Sequence, residues 1–226
     1  EVLTKGEIAA QIADEMKRRG GLLTREDLAG YRTQRREPVR GSYRGLEVLS
    51  FPPPSSGGAA LVEALNVLEG FPLASLAPGS PEETHLVVEA LKLAFADRAA
   101  WFGDPDFVRV PVAELTSKAY AATLRQRILP GGPAIEVKGS GLPANDAGTT
   151  HLSTADAAGN AVALTMTINT PFGSGITVPG TGIVLNDEMD DFAQAPDVPN
   201  VYGLVDTKGA NSIAPGKRPL SSMTPT

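Results

Sequence analysis

The apolar pattern of this chain changes period at residue 149, and that change restricts it to a mixed helix-and-strand fold. Before that point the spacing is helical. Ile8, Ile12 and Met16 fall on one face, with Thr4 and Glu7 at capping-box spacing and Gly20-Gly21 as the stop. Thr24 is placed to cap a short turn over 25–28. Residues 37–51 read as a strand or hairpin around Gly45, and Pro52-Pro53-Pro54-Ser55-Ser56-Gly57-Gly58 leads into an apolar helix over 59–68. The clearest helix runs from about 81 to 99: Ser80 caps it, Pro81 takes the first helical position, and Glu83 completes the box. Leu86, Glu89, Ala90, Leu93 and Ala94 form its packing face. A further helix is predicted over 118–128, and 130–148 reads as a loop.

After residue 149 the period is two. Residues 149–156 and 161–168 flank Ala157-Ala158-Gly159-Asn160, a hairpin signal. Val162, Leu164, Met166 and Ile168 share one face, and Ala163, Thr165, Thr167 and Asn169 the other. A loop centred on Ala158-Gly159 pairs positions whose numbers sum to about 316 or 317, which sets Thr167 opposite Thr149 or Thr150, within reach of a hydroxyl–hydroxyl bond. Two facing threonines also make a good strand pair with no chemistry, and pattern alone does not choose. Downstream, the apolar strand predicted at Ile183-Val184-Leu185 delivers Asp187-Glu188-Met189-Asp190-Asp191 to its end. Such a run is a solvated face or helix start elsewhere, yet sites are built at strand ends. Arg218-Pro219-Leu220-Ser221-Ser222-Met223 suits a turn or an anion cradle equally.

Composition removes whole classes of function. No apolar run approaches the roughly 18 residues of a membrane helix. With 20 basic and 26 acidic side chains the net charge is −6, and no stretch forms the basic patch that nucleic acid requires. The absence of cysteine excludes disulfides, zinc–thiolate sites, iron–sulfur clusters and a cysteine nucleophile, while leaving the redox compartment open. Two histidines, His85 and His151, offer little to a metal site or a Ser-His-Asp triad. Gly139-Ser140-Gly141-Leu142-Pro143-Ala144 has dinucleotide-loop spacing, but Pro143 stands where a helix should wind, so it reads as a turn. Gly216-Lys217 lacks the earlier glycine and the following Ser or Thr of a phosphate loop, and there is no Gly-x-Ser-x-Gly elbow. The 226 residues suffice for one sizeable domain or two small ones. Opening on Glu1 and stopping at Thr226 without a closing element, the chain reads as a piece of a longer protein.

Taken in order, several motifs resemble those of the gamma-glutamyltransferase family of N-terminal-nucleophile hydrolases. They are the Pro52–Gly58 run, Ala96-Asp97-Arg98, Gly103-Asp104-Pro105-Asp106-Phe107, Thr149-Thr150-His151-Leu152-Ser153, Asn169-Thr170-Pro171-Phe172-Gly173-Ser174-Gly175, Glu188-Met189-Asp190-Asp191-Phe192 and Lys217-Arg218-Pro219-Leu220-Ser221-Ser222-Met223. The resemblance implies an αββα sandwich, here partial, and a precursor that cuts itself between Gly148 and Thr149. Residues 1–148 would be the C-terminal part of a large subunit and 149–226 the N-terminal part of a small one. The two would stay associated, with the 130–148 segment mobile enough to leave the site after cleavage.

A threonine hydroxyl needs an adjacent base, and the α-amino group freed at Thr149 can supply it. Thr167 would orient the hydroxyl and the amine. The implied substrate is a γ-glutamyl amide such as glutathione, with water or an amine as acceptor and no cofactor or metal. Asn169, Glu188 and Asp191 match positions that hold its α-amino group, Ser221 and Ser222 those that hold its α-carboxylate, and Tyr202 lies in a stretch, 193–212, resembling a lid. His151 is expected on the opposite strand face, in a structural part. The family's carboxylate-binding arginine would precede Glu1 and its oxyanion glycines would follow Thr226, so the isolated chain is expected to be inactive. The resemblance also implies export from the cytoplasm. Alternatives are a related acylase acting on cephalosporin or glutaryl groups, a poly-γ-glutamate depolymerase, or a non-catalytic binding scaffold.

Overall fold

The computed structural model describes residues 2–137 and 148–226, and the loop reading of 138–147, with its 139–144 turn, lies outside the described residues. Two compact units emerge. One comprises residues 2–36, 148–150 and 166–188, the other 37–137, 151–165 and 189–226. Both are discontinuous in sequence.

In the larger unit the core forms around a helix that is apolar on nearly every side. Helix α3 (Gly57–Leu68) buries nine of its twelve residues, as expected of a helix with neighbours all round. It packs against α4 (Pro81–Trp101), α6 (Lys118–Arg125) and the hairpin of β1 (Val39–Tyr43) with β2 (Leu46–Ser50). The hairpin is antiparallel and in register from Val39↔Ser50 to Tyr43↔Leu46. Ala60, Ala64, Val67, Leu86, Ala90, Leu93, Ala121, Leu124 and Ile128 make one apolar cluster. Val39, Ala59, Val62, Phe102, Leu115 and Leu220 make a second, with Leu115 supplied by the short α5 (Val112–Leu115).

The start of α4 is written locally, since Ser80 Oγ accepts from the Glu83 N–H at 3.2 Å and Pro81 occupies the first turn. Its buried Glu89 carries a reason for being there: it binds Lys92 Nζ at 2.9 Å and accepts from the Ile135 N–H at 2.8 Å. Burial alone would raise its pKa, but those two bonds hold it below the ordinary value.

Glu63 is a different case. Only 1% exposed on α3, it has no hydrogen-bond partner on either carboxylate oxygen among the described residues. Burial first, then the neighbouring Asp97 carboxylate of α4, push it up to about 9. Asp97 itself accepts from the Tyr120 hydroxyl of α6 at 2.7 Å.

The smaller unit holds α1 (Glu7–Arg18) and α2 (Arg25–Gly30). The predicted capping box of α1 is not the one observed. Gly6 is the N-cap, without a side-chain cap bond, because the helix winds two residues later than Thr4 would place it. At α2 the expectation holds, with Thr24 and Asp27 exchanging cap bonds. Ile183-Val184-Leu185 does not form a strand of its own. It makes a single bridge, Thr177↔Val184, because the glycines at 173, 175, 180 and 182, all at positive φ, turn the chain too often for a ladder to extend.

After Gly148 the chain enters β3 (Thr149–Ala155), which pairs with β4 (Ala161–Thr167) as a two-stranded sheet. The fold among the described residues is thus mixed helix and strand, with two small sheets.

Candidate active site

The hairpin loop count predicts that Thr167 faces Thr149 or Thr150, and the structure selects Thr149. Its Oγ1 donates to Thr167 Oγ1 at 3.1 Å. Thr167 Oγ1 accepts a second bond, from the Asn169 N–H at 2.8 Å. With both lone pairs engaged, the Thr167 hydroxyl is fixed in orientation and its proton points elsewhere. Thr149 itself is exposed at the mouth of β3.

Asn169 is 6% exposed and sits at φ +77°, a left-handed conformation that Asn tolerates better than most residues. This bend is what returns its N–H towards Thr167. Its Nδ2 donates to the Asp187 carbonyl at 3.1 Å. Gly148, the residue before Thr149, lies against the same bend, and a Cβ built on it would stand 2.2 Å from Asn169 O and 2.6 Å from Thr170 C. Gly148, Thr149, Thr167, Asn169 and Glu188 all belong to the smaller unit. Glu188 opens a short 3-10 turn (Glu188–Asp191), with its N–H bonded to Asn186 Oδ1 at 3.1 Å.

His151 does not leave the face of Thr149, since residues two apart on a strand share a face. Its ring bonds Thr165 Oγ1 at 2.8 Å and Ser153 Oγ at 3.0 Å. The expected opposite face is therefore corrected; the ring serves cross-strand pairing.

Asp191, Tyr202, Ser221 and Ser222 belong to the larger unit. Asp191 is buried, and its carbonyl accepts from Asn211 Nδ2 at 2.8 Å and Asn200 Nδ2 at 3.2 Å. The other end of the Asn211 amide, Oδ1, accepts from the Leu220 N–H at 3.0 Å. One buried amide thus ties the backbone at Asp191 to the backbone beside Ser221.

Ser221 is further pinned to the Pro-rich turn. Its carbonyl accepts from the Ser56 N–H at 2.9 Å and from Ser56 Oγ at 3.0 Å, while its N–H donates to Pro54 O at 3.1 Å. Gly57 allows this approach: a Cβ there would meet the carbonyl oxygens of Met223 at 2.5 Å and Ser222 at 2.7 Å. Fully buried Asp104 accepts from the Arg218 N–H at 2.8 Å and so docks a second motif onto the same segment. Tyr202 is half-buried on a turn, its N–H bonded to Asn200 Oδ1 at 3.0 Å.

Arg98, 4% exposed on α4, donates from Nε to Ser56 Oγ at 3.1 Å. Burial lowers its pKa to about 10, against the opposing pull of Asp191 and Asp206. It remains charged at neutral pH.

The sequence motifs include Arg98 and Asp104 without assigning them roles, and the pattern assigns none to Asn211 or Asp206. Asp206 accepts the Lys208, Ala210 and Asn211 N–H groups, and its Asp-x-Lys-Gly spacing is the only local signal of that turn. Among the described residues no group of three or more His, Asp or Glu side chains is arranged to hold a metal ion, and no helix is long and apolar enough to cross a membrane.

Comparison with known proteins completes the picture. The family model described as Gamma-glutamyltranspeptidase matches residues 1–226. The glutathione hydrolase proenzyme of Escherichia coli (strain K12) is 51% identical over 225 residues, covering 98% of this chain and 39% of that protein. Acylase ACY 1 proenzyme of Pseudomonas sp. (strain SE83) is 45% identical over 226 residues, covering 100% of this chain and 38% of that protein. Among solved structures, cephalosporin acylase from Bacillus halodurans superposes with a TM-score of 0.75 at 32% identity, over 99% of this chain and 38% of that one. Helicobacter pylori gamma-glutamyltranspeptidase gives a TM-score of 0.57 at 43% identity, over 60% of this chain and 40% of that one. The fold is that of N-terminal-nucleophile hydrolases, present here in part. The chain spans about two-fifths of the length of the curated relatives it matches.

Proposed function

Since this chain belongs to the gamma-glutamyltranspeptidase family, we propose that it is the segment of a proenzyme in which Thr149 first cuts the chain and then serves as acyl-transfer nucleophile. The observation that carries this reading is the 3.1 Å bond from Thr149 Oγ1 to Thr167 Oγ1, itself oriented by the Asn169 N–H. In the precursor, Thr149 Oγ1 attacks the carbonyl carbon of Gly148. The C–N bond breaks, the nitrogen takes a proton and becomes the free α-amine of Thr149, and water hydrolyses the resulting ester. Residues 1–148 and 149–226 then belong to two subunits that remain associated.

In the mature site the α-amine is the base that the hydroxyl needs. Its ordinary pKa of about 7.7–8.0 leaves a useful neutral fraction near physiological pH. Attack on the γ-carbonyl of a γ-glutamyl amide such as glutathione forms a γ-glutamyl–Thr149 ester and releases the amine with the proton taken from Oγ1. Water or an acceptor amine discharges the ester.

Asn169, Glu188 and Asp191 hold the substrate's α-amino group, the carboxylates by charge. Ser221 and Ser222 hold the α-carboxylate through their hydroxyls, and Tyr202 lies in the segment that covers the pocket. The likeness to a cephalosporin acylase over 99% of the chain supports one competing reading, an acylase for glutaryl-type groups that lack the α-amine.

The deciding experiment uses the full-length proenzyme. Intact mass should resolve two fragments meeting at Gly148/Thr149, and Thr149→Ala should leave one uncut chain. The processed enzyme should turn over a γ-glutamyl anilide far faster than a glutaryl anilide. Uncut wild type would overturn the nucleophile, and preference for the glutaryl compound would favour the acylase.

A further inference from the structure

Asp187 wraps the bend that carries the nucleophile's neighbours. Its N–H donates to Ile168 O at 3.3 Å, its carbonyl accepts from Asn169 Nδ2 at 3.1 Å, Oδ1 accepts from the Thr170 N–H at 3.1 Å, and Oδ2 accepts from Thr170 Oγ1 at 2.9 Å. Three consecutive residues, 168–170, are therefore held by one residue 17 to 19 positions away.

Two of those residues bear on the scissile bond. Asn169 supplies the N–H that orients Thr167, and the carbonyls of Asn169 and Thr170 form the wall against which Gly148 lies. We infer that Asp187 is a positioning residue for self-cleavage: by clamping Thr170 with both carboxylate oxygens it fixes the Asn169–Thr170 bend, and through it both the Gly148 carbonyl and the Thr149–Thr167 hydroxyl pair. This inference rests on the reading of Thr149 given above.

The chemistry of the clamp explains a carboxylate at this position. Thr170 presents two donors, N–H and O–H, side by side, and a carboxylate accepts both at once. The Asn169 conformation, left-handed and so mildly strained, persists only where its surroundings over-determine it. Four bonds from Asp187 do that. Asp187 is half-buried, so these bonds compete with water less than surface bonds would. Self-cleavage demands near-attack geometry between Oγ1 and the preceding carbonyl, and displacement by about 1 Å costs on the order of 10²-fold in rate.

The test is the rate of self-cleavage of freshly folded full-length proenzyme, followed by gel or intact mass, with the thermal midpoint of each variant alongside. Asp187→Ala should slow cleavage by at least about tenfold, a fraction of that geometric limit. Asp187→Asn should recover most of the rate, because its Oδ1 still accepts the Thr170 N–H and the Thr170 hydroxyl can turn to Gly173 O, which already lies 3.0 Å away. Thr170→Val removes one of the two clamped donors and should be intermediate. It also carries the test if Asp187→Ala yields no soluble protein.

Wild-type rates in both Asp187→Ala and Thr170→Val would overturn the inference, as would an Asp187→Asn variant as slow as the alanine. Failure of the underlying reading looks different: the wild type itself would stay uncut, or Thr149→Ala would still be cleaved.

Discussion

A side chain at position 148 has nowhere to go. The nearest atoms to a Cβ there, at 2.2 to 2.7 Å, are the backbone of Asn169 and Thr170, and backbone cannot rotate aside as a flexible side chain does. Gly148→Ala should therefore push the residue before Thr149 out of line with its hydroxyl while leaving both helical cores untouched. The expected outcome in the full-length proenzyme is normal folding with self-cleavage slowed on the order of 10²-fold, read as accumulation of uncut chain over time. Cleavage at the wild-type rate would show that Gly148 sits elsewhere when the bond breaks. At the same scale, Thr167 is tied to Thr149 by more than strand pairing. Both acceptor sites on its oxygen are filled, by the Thr149 hydroxyl and by the Asn169 N–H.

Helices α3, α4 and α6 meet over a carboxylate that has no business being charged. Glu63 on α3 faces Asp97 on α4, which in turn is bonded to Tyr120 on α6. Its pKa in the folded state is raised to about 9 from an ordinary 4.5, by burial first and by Asp97 second. Burial in the folded state therefore favours the protonated form. The stabilising contribution is complete below the unfolded value near 4.5 and is lost as pH rises through about 9. Glu63→Gln keeps the shape and removes the proton. Urea midpoints measured from pH 5 to 9 should fall more steeply in the wild type than in the variant, with the variant gaining its advantage towards the alkaline end. Parallel curves would mean that Glu63 does not stay neutral. In the apolar cluster between these helices Leu93 is 1% exposed, and truncating such a residue to alanine costs about 2–5 kcal/mol.

At the scale of the whole chain, apolar rows are left uncovered. On α4, Val88, Leu91 and Phe95 lie at helical spacing and are each more than 40% exposed, although the opposite face of the helix is buried. On the β3–β4 hairpin, Val162, Leu164 and Met166 alternate on one face and are also exposed. Rows of this kind on a soluble surface mark an interaction face, and the chain spans only about two-fifths of its curated relatives. The isolated 226-residue chain should bind a hydrophobic dye strongly, show no γ-glutamyl anilide turnover, and lose most of the dye signal when the same residues are part of the full-length protein. Equal dye binding by both would show that these rows face solvent in the whole protein too.

By itself the sequence determined what short-range rules can reach. The switch of period at 149, the Ser80-Pro81 start of α4, the Thr24 cap and the Ala158-Gly159 hairpin each depend on residues a few positions apart, where spacing fixes geometry, although the Glu83 carboxylate closes on the Gly79 N–H and not on that of Ser80. The hairpin carried that reach as far as setting Thr167 opposite Thr149 or Thr150, because a tight loop propagates register along both strands, and the structure chose Thr149. Where the local signal was weaker it misled: Thr4 gave way to Gly6 at the start of α1, and a glycine-interrupted Ile183-Val184-Leu185 kept only one bridge. Tertiary structure alone decided the rest. The left-handed bend at Asn169 is held by a residue 18 positions on, Asn211 joins Asp191 to Leu220, and burial among the helices raises the pKa of Glu63. None of these has a period or a cap to announce it. Each depends on which surfaces the chain buries together, and burial is a property of the packed molecule.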